Sequence, residues 1–166
     1  MKPSTLDNTE FEYIVNSLQQ NNGMSDVEYL LLKEKHPYAV MRDDNALILS
    51  SMKHYGKHDT NFNDFLLNKF GQSDYSIDFF YELIYGVNDY TNPHRDSRIV
   101  VQTTLIMLDD NFTGGELLIN GSDVGFNKKG MYINFNGHKD VHSVNRVESG
   151  ERRVLVLMFN KTKNTL

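Results

Sequence analysis

At 166 residues, 39% hydrophobic and 23% charged, the chain has the size and composition of one folded domain, which excludes the disordered and membrane-embedded classes. Its 17 Lys and Arg against 22 Asp and Glu leave a net charge of −5, which argues against a general nucleic-acid surface, because phosphate contacts need clustered cations. The absence of cysteine excludes disulfides and thiolate chemistry, so His, Asp and Glu are the strong metal ligands that remain.

The first residues, MKPSTLDNTEF, lack the apolar core of a signal peptide, and the cytoplasm is the expected compartment. Phe11, Ile14, Val15 and Leu18 then recur at helical spacing, with Asp7 or Thr9 as the cap. Ser25-Asp26-Val27-Glu28 is a capping box ahead of Tyr29, Leu30, Leu31 and Leu32. The stretch HPYAVMRDDNALILSSMKHYGKHD, from His36 to Asp59, is mixed and predicts no single element. Asn61 to Phe70 predicts a short helix closed by Gly71.

From about residue 75 the texture changes. Short apolar, β-branched and aromatic runs alternate with turn clusters, predicting strands at Ile77–Tyr85, Arg98–Leu108, Glu116–Ile119, Met131–Phe135, Val141–Val144 and Arg152–Phe159. Gly86 to Asp89, Asp109 to Asn111, Thr113 to Gly115, Asn120 to Asp123, Lys129-Gly130, Asn136-Gly137 and Ser149-Gly150 are the turns between them. No repeat and no linker interrupts the chain. The expectation is a single domain over 1–166: a mostly helical support region over 1–74, covering one face of a mainly β core over 75–160. The longest apolar runs, such as Val154–Phe159, are far too short to cross a bilayer, so neither membrane nor nucleic acid is an expected partner.

His94-Arg95-Asp96 raises the question of a metal site. A triad of two His and one carboxylate binds one face of Fe(II) and leaves other positions open. On an extended chain, residues two apart point to the same side, so an H-x-D can supply two ligands, and the third must come from a distant strand. A second such motif, His138-Lys139-Asp140, has only His142 after it, too near for a separate strand. His94-Arg95-Asp96 has both His138 and His142 beyond three predicted strands. His36, His54 and His58 read as solvated or ordinary core residues. Arg152, ten residues after His142, opens a buried strand and needs an anionic partner. That partner is a carboxylate ligand, a salt bridge to Glu148 or Glu151, or solvent at the strand end. Arg153 faces the other way and reads as a surface residue.

The segment from about Phe80 to Phe159 resembles the iron- and 2-oxoglutarate-dependent dioxygenases, in their prolyl 4-hydroxylase-like branch. LIYGVNDYTNPHRDSR looks like that branch's Tyr-Gly stretch leading into Pro-His-x-Asp. RIVVQTTLIMLDDNFTGGELLI looks like its next strand, acidic turn and Gly-Gly-Glu-Leu. KKGMYINFNGHKDVHSVNRVESGERRVLVLMF resembles its Gly-led strand, distal His-x-Val and Gly-Glu-Arg. The first 70 residues carry no such resemblance.

The resemblance implies a double-stranded β-helix (a jelly roll, cupin-like) with His94, Asp96 and His142 as iron ligands. It implies that Arg152 binds the C5 carboxylate of 2-oxoglutarate and that Tyr85 donates a hydrogen bond to the same group; a core tyrosine with an ordinary partner is the alternative. Fe(II), 2-oxoglutarate and O₂ follow as cofactor and cosubstrates, with ascorbate a candidate reductant. The implied reaction hydroxylates an unactivated C–H bond and releases succinate and CO₂. A protein or peptide side chain, proline first, is the expected substrate. A free amino acid or other small molecule is the enzymatic alternative, and a cupin-like ligand-binding module without redox turnover is the alternative of another class. Loops at His36–Thr60 and Gly86–Pro93, with Tyr90, Asn92 and Arg95, are candidate rim contacts. Two features depart from the pattern. Arg146 stands where relatives often carry proline, and His138 is an additional imidazole near the site, expected to be exposed.

Overall fold

The computed structural model describes residues 1–20, 48–49, 51–56, 59–77 and 79–162. The capping box at Ser25–Glu28 with its leucine run, His36, His58, most of the rim segment from 36 to 60, and the side chain of His54 lie outside the described residues.

Among the described residues, two helices precede the main run of strands. α1 (Asn8–Gln20) starts with a reciprocal cap: the Glu10 N–H donates to Asp7 Oδ1 at 2.7 Å, and the Asp7 N–H donates to Glu10 Oε1 at 3.3 Å. α2 (Thr60–Phe70) is capped by Asp59, whose carboxylate accepts the Phe62 N–H at 3.1 Å, and the Gly71 N–H closes it on Leu67 O at 2.9 Å. Among the described residues, no helix is long and apolar enough to cross a membrane.

The strands are β1 (Ser4–Thr5), β2 (Ile48–Leu49), β3 (Ser51–Gly56), β4 (Tyr75–Ser76), β5 (Phe79–Tyr85), β6 (Tyr90–His94) and β7 (Val100–Met107), then β8 (Phe112–Gly114), β9 (Leu117–Ile119), β10 (Ser122–Asp123), β11 (Met131–Phe135), β12 (His142–Val144), β13 (Val147–Gly150) and β14 (Arg152–Lys161). They form a seven-stranded sheet in the order β1-β11-β7-β14-β5-β3, with β4 also on β14. A five-stranded sheet runs β10-β9-β12-β6-β2, and β13 pairs with β8 as a ribbon. Two antiparallel sheets face to face, with helices behind the larger one, make a jelly roll.

Side-chain alternation explains the layers. On β14, Arg152, Val154, Val156 and Met158 face inward, where they join Tyr81, Leu83 and Tyr85 of β5, Leu105 and Met107 of β7, and Leu117, Ile119 and Val144 from the opposite sheet. Leu155, Leu157 and Phe159 face outward, onto Ile14 and Leu18 of α1 and Phe62, Leu66 and Phe70 of α2. The run VLVLMF is therefore apolar throughout because both faces of β14 are covered. Fully burying side chains of this kind stabilises by about 1.5–3 kcal/mol each, and the helices supply the cover that the outer face requires.

The six predicted strands correspond to β5, β7, β9, β11, β12 and β14, with ends shifted by two residues or fewer. The other strands lie in stretches read as turns or left unassigned. Residues 48–56 contribute β2 and β3, the Thr113-Gly and Ser149-Gly turns sit inside β8 and β13, and the predicted loop before His94 contains β6. β6 tolerates Pro93 because its register to β12 shifts there: Thr91 pairs with Val144 and His94 with His142, leaving Pro93 between the paired positions.

Candidate metal and keto-acid site

His94 and His142 are direct cross-strand partners of β6 and β12, in the smaller sheet. Their ring centroids lie 4.2 Å apart, and Phe135 packs edge-on against His142 at 4.8 Å. Asp96 Oδ1 stands 3.3 Å from His142 Nε2 and 3.5 Å from His94 Nε2. The three ligand atoms lie within 4.8 Å of one another, and His138 is not part of the group.

The expectation that one extended strand would aim both His94 and Asp96 is corrected in one respect. β6 ends at His94, and Asp96 lies beyond it. What holds Asp96 is its own N–H, donated to Gly137 O at 2.7 Å, so the loop after β11 replaces strand geometry. Thr103 of β7 adds its hydroxyl to Asp96 Oδ2 at 2.6 Å. An ideal Cβ on Gly137 would stand 2.1 Å from both Asp96 Oδ2 and Thr103 Oγ1, so only glycine fits there.

The tautomers follow from the backbone. Nδ1 of His94 lies 2.9 Å from Asn92 O, and Nδ1 of His142 lies 2.9 Å from Asp140 O. A carbonyl only accepts, so each Nδ1 carries hydrogen and each neutral ring turns an Nε2 lone pair towards Asp96. Three electron-rich atoms facing one another require a cation between them, either a proton or a metal ion. Burial pushes the Asp96 carboxyl up, but hydrogen bonds from His142, His94 and Thr103 and the His142 charge outweigh it, holding it well below the usual range. Burial pushes the His142 imidazole down, while Asp96 more than reverses this and leaves it raised. Two imidazoles and one carboxylate suit Fe(II).

Arg152 is the second part of the site. It is fully buried, and none of its three guanidinium nitrogens has a hydrogen-bond partner among the described residues. The salt bridge to Glu148 or Glu151 is not formed. Tyr85, its cross-strand partner on β5, has its ring centroid 5.1 Å from the guanidinium carbon. Burial pushes the guanidinium down and Tyr85 partly offsets this, but a group that starts so high stays cationic. A buried cation without an anion is costly, so the position fits a ligand carboxylate. Gly115 makes room for the Arg152 side chain: a Cβ there would stand 2.9 Å from Arg152 Cδ. The Tyr85 hydroxyl lies 2.7 Å from Thr91 Oγ1, giving it the ordinary partner weighed from the sequence. One pocket is lined by Tyr85 and Thr91 together with His94, Asp96, Thr103 and His142, so the three candidate ligands share a cavity with Tyr85, the cross-strand partner of Arg152.

Arg153 faces the other way from Arg152 and stays partly exposed, and it also carries a structural ion pair. Its Nε donates to Glu82 Oε1 at 2.7 Å on the outer face of the sheet, where Glu82 is buried and also accepts from the Tyr55 hydroxyl at 3.2 Å. His138, expected to be exposed, is half-buried. At the rim, the Arg146 guanidinium lies 4.3 Å from the Tyr90 ring centroid and donates to Asn88 O at 2.9 Å, which clips the β5–β6 turn to the loop after β12. Arg95 donates to Lys139 O at 3.1 Å, and Asn92 is exposed. Thr103, Gly137, Thr91 and Gly115 were missed from the sequence. A threonine at an inward position of the apolar run VVQTTLIM is the one local signal among them.

Comparison with solved structures places the fold. A Pseudomonas putida prolyl-4-hydroxylase aligns over 98% of this chain and 92% of its own, with a TM-score of 0.62 and 11% identity. The fold is the one these hydroxylases use. A prolyl hydroxylase from Trichoplax adhaerens, in complex with a hypoxia inducible factor oxygen degradation domain peptide fragment, aligns over 92% of this chain and 77% of its own, with a TM-score of 0.54 and 16% identity. An oxidoreductase of the 2OG-Fe(II) oxygenase family from Burkholderia pseudomallei shares 21% identity over 64% of this chain, with a TM-score of 0.51; the chain spans 55% of that protein's length. No family model and no curated protein matches the sequence.

Proposed function

We propose that this protein is an iron(II)- and 2-oxoglutarate-dependent oxygenase that hydroxylates an unactivated C–H bond of a peptide or protein side chain, with proline the first candidate. The observation that carries the reading is the buried Arg152 guanidinium, with no hydrogen-bond partner among the described residues, in the same β core as three converging ligand atoms. A planar guanidinium suits a dicarboxylate's far end, and two imidazoles with one carboxylate suit a metal ion.

In this reading His94, Asp96 and His142 hold the iron, which supplies O₂ binding and its reductive activation. Arg152 takes the C5 carboxylate, and a planar guanidinium suits that group in charge and geometry. Tyr85 and Thr91 share one short hydroxyl contact, so one of the two has a proton to offer the same carboxylate. The apolar walls Leu83, Leu105, Val144 and Val156 limit water at the reacting end. The balance is fixed by the class of reaction: 2-oxoglutarate loses CO₂ and becomes succinate with one atom of O₂, and the substrate C–H receives the other. The choice of a peptide rests on the prolyl hydroxylase folds and on the peptide bound in one of them.

The test is succinate release from 2-oxoglutarate with Fe(II) and air, followed by mass spectrometry of proline-containing peptides and cell proteins for a gain of one oxygen. Iron-dependent succinate together with an oxidised peptide is the expected result. A gain of oxygen on free amino acids alone would move the substrate to the small-molecule class, and no succinate under any condition would overturn the reading.

A further inference from the structure

Asp96 uses its two oxygens differently. Oδ1 faces both imidazoles, whereas Oδ2 accepts the Thr103 hydroxyl at 2.6 Å. Thr103 is only 2% exposed, so water does not compete for that bond. Gly137 walls the same side: it carries the carbonyl that holds the Asp96 N–H, and it leaves no room for any side-chain atom beside Oδ2. Its φ is not in the left-handed region, so the glycine supplies space rather than conformational freedom.

We propose that Thr103, with Gly137 behind it, is a positioning residue that restricts Asp96 to ligation through one oxygen and so keeps a coordination position open for the keto acid and O₂. The inference rests on the oxygenase reading above and specifies how its site works. An ion with six positions, held by two imidazoles and one carboxylate oxygen, retains three. The two donor atoms of 2-oxoglutarate and one atom of O₂ use all three. If Asp96 also supplied Oδ2, two would remain, and the keto acid would have to displace a protein ligand. Without the hydroxyl, Oδ2 would be a buried acceptor with no donor, and the metal would be the cation nearest to satisfy it. Thr103 is not one of the three ligands; it acts through Asp96.

The experiment compares the parent protein with Thr103→Val, which keeps the shape and removes the donor, and Thr103→Ser, which restores the hydroxyl. Three quantities are read: Mn(II) affinity without keto acid, 2-oxoglutarate affinity of the metal-loaded protein, and the melting temperature of the metal-free protein. The expected result is a split. Thr103→Val binds Mn(II) at least as tightly as the parent, yet its 2-oxoglutarate affinity falls by about tenfold, the scale of one lost charge-assisted hydrogen bond. Thr103→Ser returns to the parent value. Where valine lowers the melting temperature, Thr103→Ala removes the donor without adding bulk and should show the same split. Equal 2-oxoglutarate affinity in Thr103→Val and parent would overturn the inference alone. So would a parallel loss of Mn(II) and 2-oxoglutarate affinity, because Thr103 would then merely place the carboxylate. A parent that binds neither ligand would overturn the oxygenase reading, and this inference with it.

Discussion

His94 and His142 face each other across the β6–β12 ladder, and each commits Nδ1 to the carbonyl two residues before it, at 2.9 Å in both cases. The repeated geometry fixes the same tautomer twice and aims both Nε2 atoms at Asp96 Oδ1. Two rings held this way need no rearrangement to receive a metal ion.

The first prediction concerns Asp96→Ala. Losing a ligand should cost more than the roughly 10–100-fold in metal affinity typical of outer-shell changes. Titration calorimetry with Mn(II), which avoids oxidation, checks this. Parent-like affinity in the variant would remove Asp96 from the metal site.

The two adjacent arginines should respond in opposite ways. Arg152→Met removes a buried charge with no partner, so the metal-free protein should melt higher, while 2-oxoglutarate should no longer raise its melting temperature. Arg153→Met leaves the Glu82 carboxylate buried without its cation. That should cost about 2–3 kcal/mol, less than a fully buried pair because the Arg153 side chain is 42% exposed, with 2-oxoglutarate binding unchanged. Thermal melts of both variants, with and without the keto acid and Mn(II), decide it. Stabilisation by 2-oxoglutarate in Arg152→Met would move the anchor elsewhere.

Metal and proton compete for the same three atoms, so pH should act in opposite directions on the two forms. Without metal, Asp96 is held low and contributes stability above its unfolded value of about 3.9. His142 is held high and contributes below its unfolded value of about 6.5, losing that contribution as pH rises through its folded value. The metal-free protein should therefore gain most from this pair between about pH 4 and about pH 6.5. Metal binding must expel the His142 proton, so affinity should fall on going from about pH 8 to about pH 6. Melting curves and Mn(II) titrations across that range check both trends; an affinity that rises with acidity would contradict the assignment.

Much of the site could be read from the sequence because its residues stand at the ends of strongly patterned strands. Arg152 opens the apolar run of β14, and His142 opens β12, so both were placed once the strands were recognised. β6 was not legible, since Pro93 and a shifted register hide a strand inside a turn-rich stretch. The support for Asp96 was hidden for a related reason. Gly137 reads as the second residue of an Asn-Gly turn, and nothing local says that a carboxylate from 41 residues upstream will press against it. Arg153 and Glu82 show the same limit: their pairing depends on the β5–β14 register, which neither strand specifies alone.

The central claim is that a ferrous ion at His94, Asp96 and His142 and a keto diacid anchored by Arg152 bind together. An anaerobic titration of Fe(II) into the protein with 2-oxoglutarate present, followed by visible absorption, tests this most directly. The account predicts a weak metal-to-keto-acid band that saturates at one iron per chain and is lost in both Asp96→Ala and Arg152→Met at the same ligand concentrations. No band in the parent, or an undiminished band in Asp96→Ala, would contradict it.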